Sequence, residues 1–149
     1  MEVGSGKWQV GSGKWLVVSE QKARHKMTSE IKSYRDLKVW QKGIELVKEV
    51  YALTRKFPQY EIYALANQLQ RSVVSVPSNI AEGQARQHTG EFRQFLHTAL
   101  GSLAEVDTQT VIAHELGYIT LHEADHIAQH VIELQKMLHT LIAHLPASH

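Results

Sequence analysis

The 149-residue chain contains no cysteine, which excludes disulfide frameworks, thiolate zinc sites and cysteine nucleophiles and fits a reducing compartment. An excess of charge of one sign is also lacking. Sixteen Lys and Arg face 15 Asp and Glu, a net +1 with histidine neutral, so the protein is not strongly basic. Any nucleic acid it binds must meet charge concentrated by geometry or assembly rather than by the total. No apolar run approaches the roughly 18 residues of a membrane span. The short run Trp15 to Val18 near the N-terminus falls short of a secretory signal. The expectation is therefore a cytoplasmic protein with no membrane partner. Strands are missing as well, since no stretch alternates with period two for long enough to form one.

Hydrophobic residues at 43% and charged residues at 21% are a globular composition, and the length suits one domain with a tail. The first thirty residues stand apart. Val3 to Trp8 reads VGSGKW and Val10 to Trp15 repeats it, a Gly-Ser-rich pattern expected to be flexible. GSGK is not a phosphate loop, because that motif needs Gly where Trp8 stands and Ser or Thr where Trp15 stands. Residues 1–32 are expected to be a mobile leader, added or translated from upstream. Lys22, Arg24 and Lys26 leave open a basic arm that touches nucleic acid. Residues 33–146 form the body and 147–149 a tail.

Four helical segments follow. In the first, Leu37, Trp40, Ile44, Val47, Val50 or Tyr51 and Phe57 recur at helical spacing, and Phe57-Pro58 stops it. In the second, Ile62, Leu65, Leu69, Val73, Val76 and Ile80 form the stripe, with Pro77 predicted to kink the helix or remove one hydrogen bond and Gly83 as the stop. The third runs from Thr89, a predicted N-cap, through Phe92, Leu96, Ala99, Leu103, Val106 and Thr110 to Gly117. The fourth opens on the capping box Thr120-Leu-His-Glu123 and continues through Ile127, Val131, Leu134, Leu138, Leu141 and Leu145 to Pro146. Four amphipathic helices with short connections predict an all-α, antiparallel up-and-down four-helix bundle, the smallest unit that hides all four stripes.

Polar residues inside these helices carry more information. Arg71, Ser75, Ser78 and Glu82 share one face of the second helix, and His97, Gly101, Glu105 and Thr108 one face of the third. Gly101-Ser102 in mid-helix predicts a close backbone neighbour, since glycine there costs about 1 kcal/mol of propensity. The expectation is a structural polar network of Arg71, Ser75, Asn79, Glu82, Glu105 and Thr108, across the bundle or between subunits. Two solvated faces and a catalytic site are the alternatives.

The run Asp36 to Gln41, Phe57-Pro58, the segment Gln68 to Gly83 containing VPSNIAEG, and Arg86 resemble the four-helix-bundle family encoded in 23S rRNA intervening sequences. Glu91 to Leu96, Gly101 to Glu105 and Leu116 to Ile119 continue the resemblance, which covers about residues 34 to 145. That family is similar to the accessory protein of diversity-generating retroelements, which partners a reverse transcriptase and RNA. The resemblance implies a homopentamer with a basic surface, nucleic-acid binding (RNA or DNA) and no catalytic activity. Two basic positions of the family pattern are replaced here, at Gln70 and at Leu100. From Ile31 onward 11 Lys and Arg face 12 Asp and Glu, so binding is expected to be weak unless histidines protonate. The candidate nucleic-acid ligands are Lys38, Lys42, Lys48, Arg55 and Lys56 on the first helix, with Arg71, Arg86 and Arg93.

A different chemistry is suggested by His122-Glu123-Ala-Asp-His126, a formal H-E-x-x-H, with His130 one turn further. The pattern lacks the continuation of either zinc-protease type, and a di-iron site would need a second Glu-x-x-His. Eight of the ten histidines lie from His97 onward, so a chance match is cheap. His122 and His126 are retained only as adventitious metal ligands, expected to face outward, with no cofactor. The sequence thus predicts a non-enzymatic, self-associating scaffold for nucleic acid. A subunit that contacts protein alone, and a zinc hydrolase using His122, Glu123 and His126, are the alternatives.

Overall fold

Four α-helices carry the chain: α1 Lys38–Thr54, α2 Leu65–Ala85, α3 Thr89–Glu115 and α4 Leu121–His144. The computed structural model describes residues 32–147, and no strand occurs among them. Expectations for the leader, apart from Lys32, and for the last two residues of the tail lie outside that range. Each helix packs on the next in sequence and α4 returns to α1, which closes an up-and-down four-helix bundle. Leu46 and Val50 of α1, Leu69, Val73, Val76 and Ile80 of α2, Leu96, Leu103 and Val106 of α3, and Val131, Leu134 and Leu138 of α4 fill the centre. Each such side chain contributes about 1.5–3 kcal/mol by leaving water.

The ends are set by local chemistry. Ser33 and Asp36 form a capping box around a 3-10 turn, Tyr34–Asp36, whose Tyr34 ring packs 5.5 Å from that of Trp40. The Arg35 guanidinium lies 5.9 Å and 6.0 Å from those two rings. A second 3-10 turn, Gln59–Glu61, precedes α2, and Glu61 Oε2 accepts the Leu65 N–H at 2.9 Å. Gly117, at φ 78°, ends α3: the amide of Tyr118 reaches the Ala113 carbonyl and that of Gly117 the His114 carbonyl, both at 2.9 Å. The Thr120–Glu123 capping box opens α4 as its sequence predicts.

Several expectations shift. The core stripe of α1 is Val39, Gly43, Leu46, Val50 and Leu53, one residue away from the predicted Trp40, Ile44 and Val47, which are half-buried. Both stripes are apolar, and Gly43 helps decide between them. Without a side chain it lets Pro77 of α2 lie against its backbone, where a Cβ would stand 3.4 Å from the proline Cβ. Pro77 is thus buried inside an unbroken α2. Ile62 is not part of that helix but exposed in the turn before it. Gly83 is not the stop either. It is buried within α2 because a Cβ there would lie 2.6 Å from Phe95 Cβ, and the helix ends at Ala85 before Gln87, whose φ is 64°. His88, rather than Thr89, is the N-cap of α3. Gly101 is exposed with nothing within 4 Å among the described residues, so the close backbone neighbour expected there is not found among them.

Candidate functional site

The seam between α1 and α4 holds a ladder of polar rungs. Lys42 and Glu49 lie seven residues apart on one side of α1, and Lys56 follows seven further on, in the turn just past the end of the helix. Lys42 Nζ lies 3.4 Å from Glu133, and Lys56 pairs with Glu123. Between them Glu49 Oε2 lies 3.3 Å from His126 Nε2 and 3.1 Å from His130 Nδ1. The two imidazoles, one helical turn apart, have ring centroids 4.7 Å apart. Ile127 and Val131, the residues that follow them, are buried in the core and so fix the pair against α1. His126 and His130 accordingly stand against α1 on the seam, where His126 remains exposed, as expected of it, and His130 is half-buried. Although both rings are close, Glu49 Oε2 is shielded from solvent and accepts no hydrogen bond.

Beside this rung a groove of about 350 Å³ is lined by Glu49, Ala52, Leu53, Lys56, His122, Glu123, His126 and Ile127. Glu123 is occupied there. Lys56, together with the Thr120 amide that it caps, holds its carboxyl well below the usual range, at about 2. A carboxylate so stabilised is a poor proton acceptor, and it is turned to Lys56 and the Thr120 amide.

A second polar cluster lies between α2 and α3. Ser75 Oγ donates to the Ser72 carbonyl at 2.9 Å and meets Ser102 Oγ, Ser72 Oγ donates to Glu105 at 3.3 Å, and Asn79 Nδ2 donates to the Ser75 carbonyl at 2.7 Å. Ser75, Asn79 and Glu105 of the expected network are therefore brought together, through Ser72 and Ser102. Arg71 stays outside it, Thr108 bonds its own helix at Ala104, and Glu82 pairs with Arg86 at 2.8 Å.

The candidate cations divide in two. Lys42 and Lys56 serve the α1–α4 ladder. Arg86 is held by Glu82 and Glu91 and lies 5.4 Å from the Phe95 ring centroid; its hydrogen bond to Glu82 raises its pKa further. Arg93 reaches the Pro146 carbonyl at 3.0 Å and ties down the end of α4. Lys38, Lys48, Arg55 and Arg71 are exposed and form no ion pair among the described residues. Lys48 and Arg55, seven apart, share a side of α1 away from the ladder, next to the half-buried Ile44 and the exposed Tyr51. Glu49 is the residue that the sequence reading missed; its signal was the seven-residue spacing from Lys42 and to Lys56.

Four antiparallel helices with polar seams define an all-α bundle. The 23S rRNA-intervening sequence protein family matches residues 35–140. The chain belongs to that family. It is similar in fold to a protein of unknown function from the S23 ribosomal protein family of Bacteroides thetaiotaomicron VPI-5482, at a TM-score of 0.65 and 24% identity over 70% of this chain and 97% of that one. No curated protein matches. No helix among the described residues is long and apolar enough to cross a membrane.

Proposed function

We propose that the protein is a non-enzymatic scaffold that associates with copies of itself and binds nucleic acid. The observation that carries the reading is the outer face of α3. His97, Gly101, Ala104, Thr108 and Val111 follow one another there by four, three, four and three residues, the spacing of a helix-packing seam, yet all are exposed. Val111 is 51% exposed and Leu116, at the end of the same helix, 54%. Small residues beside the exposed Val111 admit a second helix closely, which would supply for Gly101 the backbone neighbour that the described residues do not. The homopentamer of the resemblance is the assembly this face would serve.

Nucleic acid would meet the α1–α2 side, where Lys48, Arg55 and Arg71 have no acidic partner and Tyr51 is 39% exposed. Cations beside aromatic rings suit a backbone with splayed bases, and repetition in an oligomer raises the local charge that one subunit at −1 from Ile31 onward lacks. Light scattering after size exclusion tests the assembly: a mass several times the 16.9 kDa chain is expected, reduced by Val111→Glu. A salt series of gel shifts tests the ligand, with weaker binding and a shallower salt slope expected for Lys48→Ala and Arg71→Ala. A clean monomer with no retention of RNA or DNA at low salt would overturn the reading.

A further inference from the structure

We propose that Glu49, His126 and His130 form a binding site for a divalent transition ion of the zinc class. The two imidazole nitrogens and one carboxylate oxygen lie within 4.8 Å of one another, the set of three such side chains that converges among the described residues. Ligands about 2.0–2.1 Å from a tetrahedral zinc ion stand about 3.3 Å apart. The Glu49 oxygen stands 3.3 Å from His126 Nε2 and 3.1 Å from His130 Nδ1, so two edges of such a tetrahedron are already in place. The edge between the imidazoles lies on a single helix, at the i, i+4 spacing that two histidines need to share an ion.

The alternative occupant is a proton shared between imidazole and carboxylate. Glu49 Oε2 is shielded from water, and neither ring N–H is aligned on it for a hydrogen bond. A metal ion sits off the nitrogen–oxygen lines and needs no such alignment. The ladder shows the same difference: its outer rungs each match Lys with Glu, whereas the middle rung sets one carboxylate against two imidazoles. Two nitrogens and one oxygen favour zinc, nickel or copper over magnesium or calcium, which take oxygen ligands. The groove shared by Glu49 and His126 leaves a fourth position for water. His122, also on the groove, is not in the set, which separates this site from the pair suggested by the sequence motif.

Titration of the full chain, freed of metal by a chelator and carrying no added histidines, with Zn2+ against a chromogenic indicator tests this. One saturable Zn2+ per chain is expected. Its affinity should fall at least about tenfold, the loss seen even for partners outside the ligand shell, in Glu49→Gln, His126→Ala and His130→Ala, and stay unchanged in His122→Ala. Circular dichroism checks that each variant keeps its helices; should His130→Ala lose them, the half-exposed His126 decides the matter with Glu49→Gln. Binding that is absent, that survives Glu49→Gln and His126→Ala, or that depends on His122 would overturn the proposal.

Discussion

Gly83, in the last turn of α2, and Gly101, midway along α3, are both helical glycines, and the structure assigns them opposite responses to the same added methyl group. At Gly83 an alanine Cβ would stand 2.6 Å from Phe95 Cβ and 3.0 Å from the Phe92 ring. Carbon atoms settle at about 3.5–4.0 Å, so roughly an ångström of movement is required. Phe95 Cβ is anchored directly to the α3 backbone, so rotating its ring does not relieve the contact. Overpacking of this kind costs about 1–3 kcal/mol, against about 1 kcal/mol gained in helix propensity. Gly83→Ala should therefore be destabilising on balance, by up to about 2 kcal/mol. At Gly101 nothing among the described residues lies within 4 Å, so in the dissociated chain Gly101→Ala should collect the propensity gain of about 1 kcal/mol without a clash. Urea unfolding of both variants and the parent, at a dilution where the parent is dissociated because association shifts apparent stability, reads the difference as midpoints moving in opposite directions. Equal midpoints, or a stabilised Gly83→Ala, would refute the claim that α2 and α3 meet through this glycine.

The corrected register of α1 predicts unequal costs for neighbouring truncations. Leu46→Ala, at a fully buried position, should lose about 2–5 kcal/mol, and Ile44→Ala, half-buried on the predicted stripe, distinctly less in the same urea assay. Thr120→Ala should cost about 1 kcal/mol by removing the cap of α4, measured by thermal or urea unfolding. Glu123 supplies a pH dependence. Its carboxyl is held at about 2 in the folded protein, so its contribution is present above its unfolded pKa of 4.5 and drains away as pH falls toward 2. Glu123→Gln should be less stable than the parent at neutral pH and converge with it near pH 2; parallel curves across that window would refute the assignment.

Helix number and order were readable because each stripe depends on local spacing, whereas the termini were readable only in part: Ile62, Gly83 and Thr89 do not mark the ends expected of them. The Thr120–Glu123 box, the stop at Gly117 and the 127–131–134–138 stripe of α4 are where spacing alone put them. Register on α1 was not readable, because apolar residues fill both candidate stripes and the choice rests on Gly43 meeting Pro77, 34 positions away. The polar cluster was half readable. Spacing brought Ser75 and Glu105 to facing sides, but the small buried Ser72 and Ser102 that join them look like ordinary helix filler. Glu49 escaped because a lone acid on a helix has no meaning until α4 folds back against it.

The rungs at Lys42, Glu49 and Lys56 add little to stability one by one, since partly exposed pairs are worth about 0–1 kcal/mol. Their order matters more. Sliding α4 along α1 by a turn or two in one direction would set Glu49 beside Glu123, and in the other direction beside Glu133. Either slip brings two carboxylates together where the native alignment has complements. The first and last helices, whose Lys56 and Glu123 are 67 residues apart along the chain, thus carry a keyed edge that rejects near-miss closure of the ring.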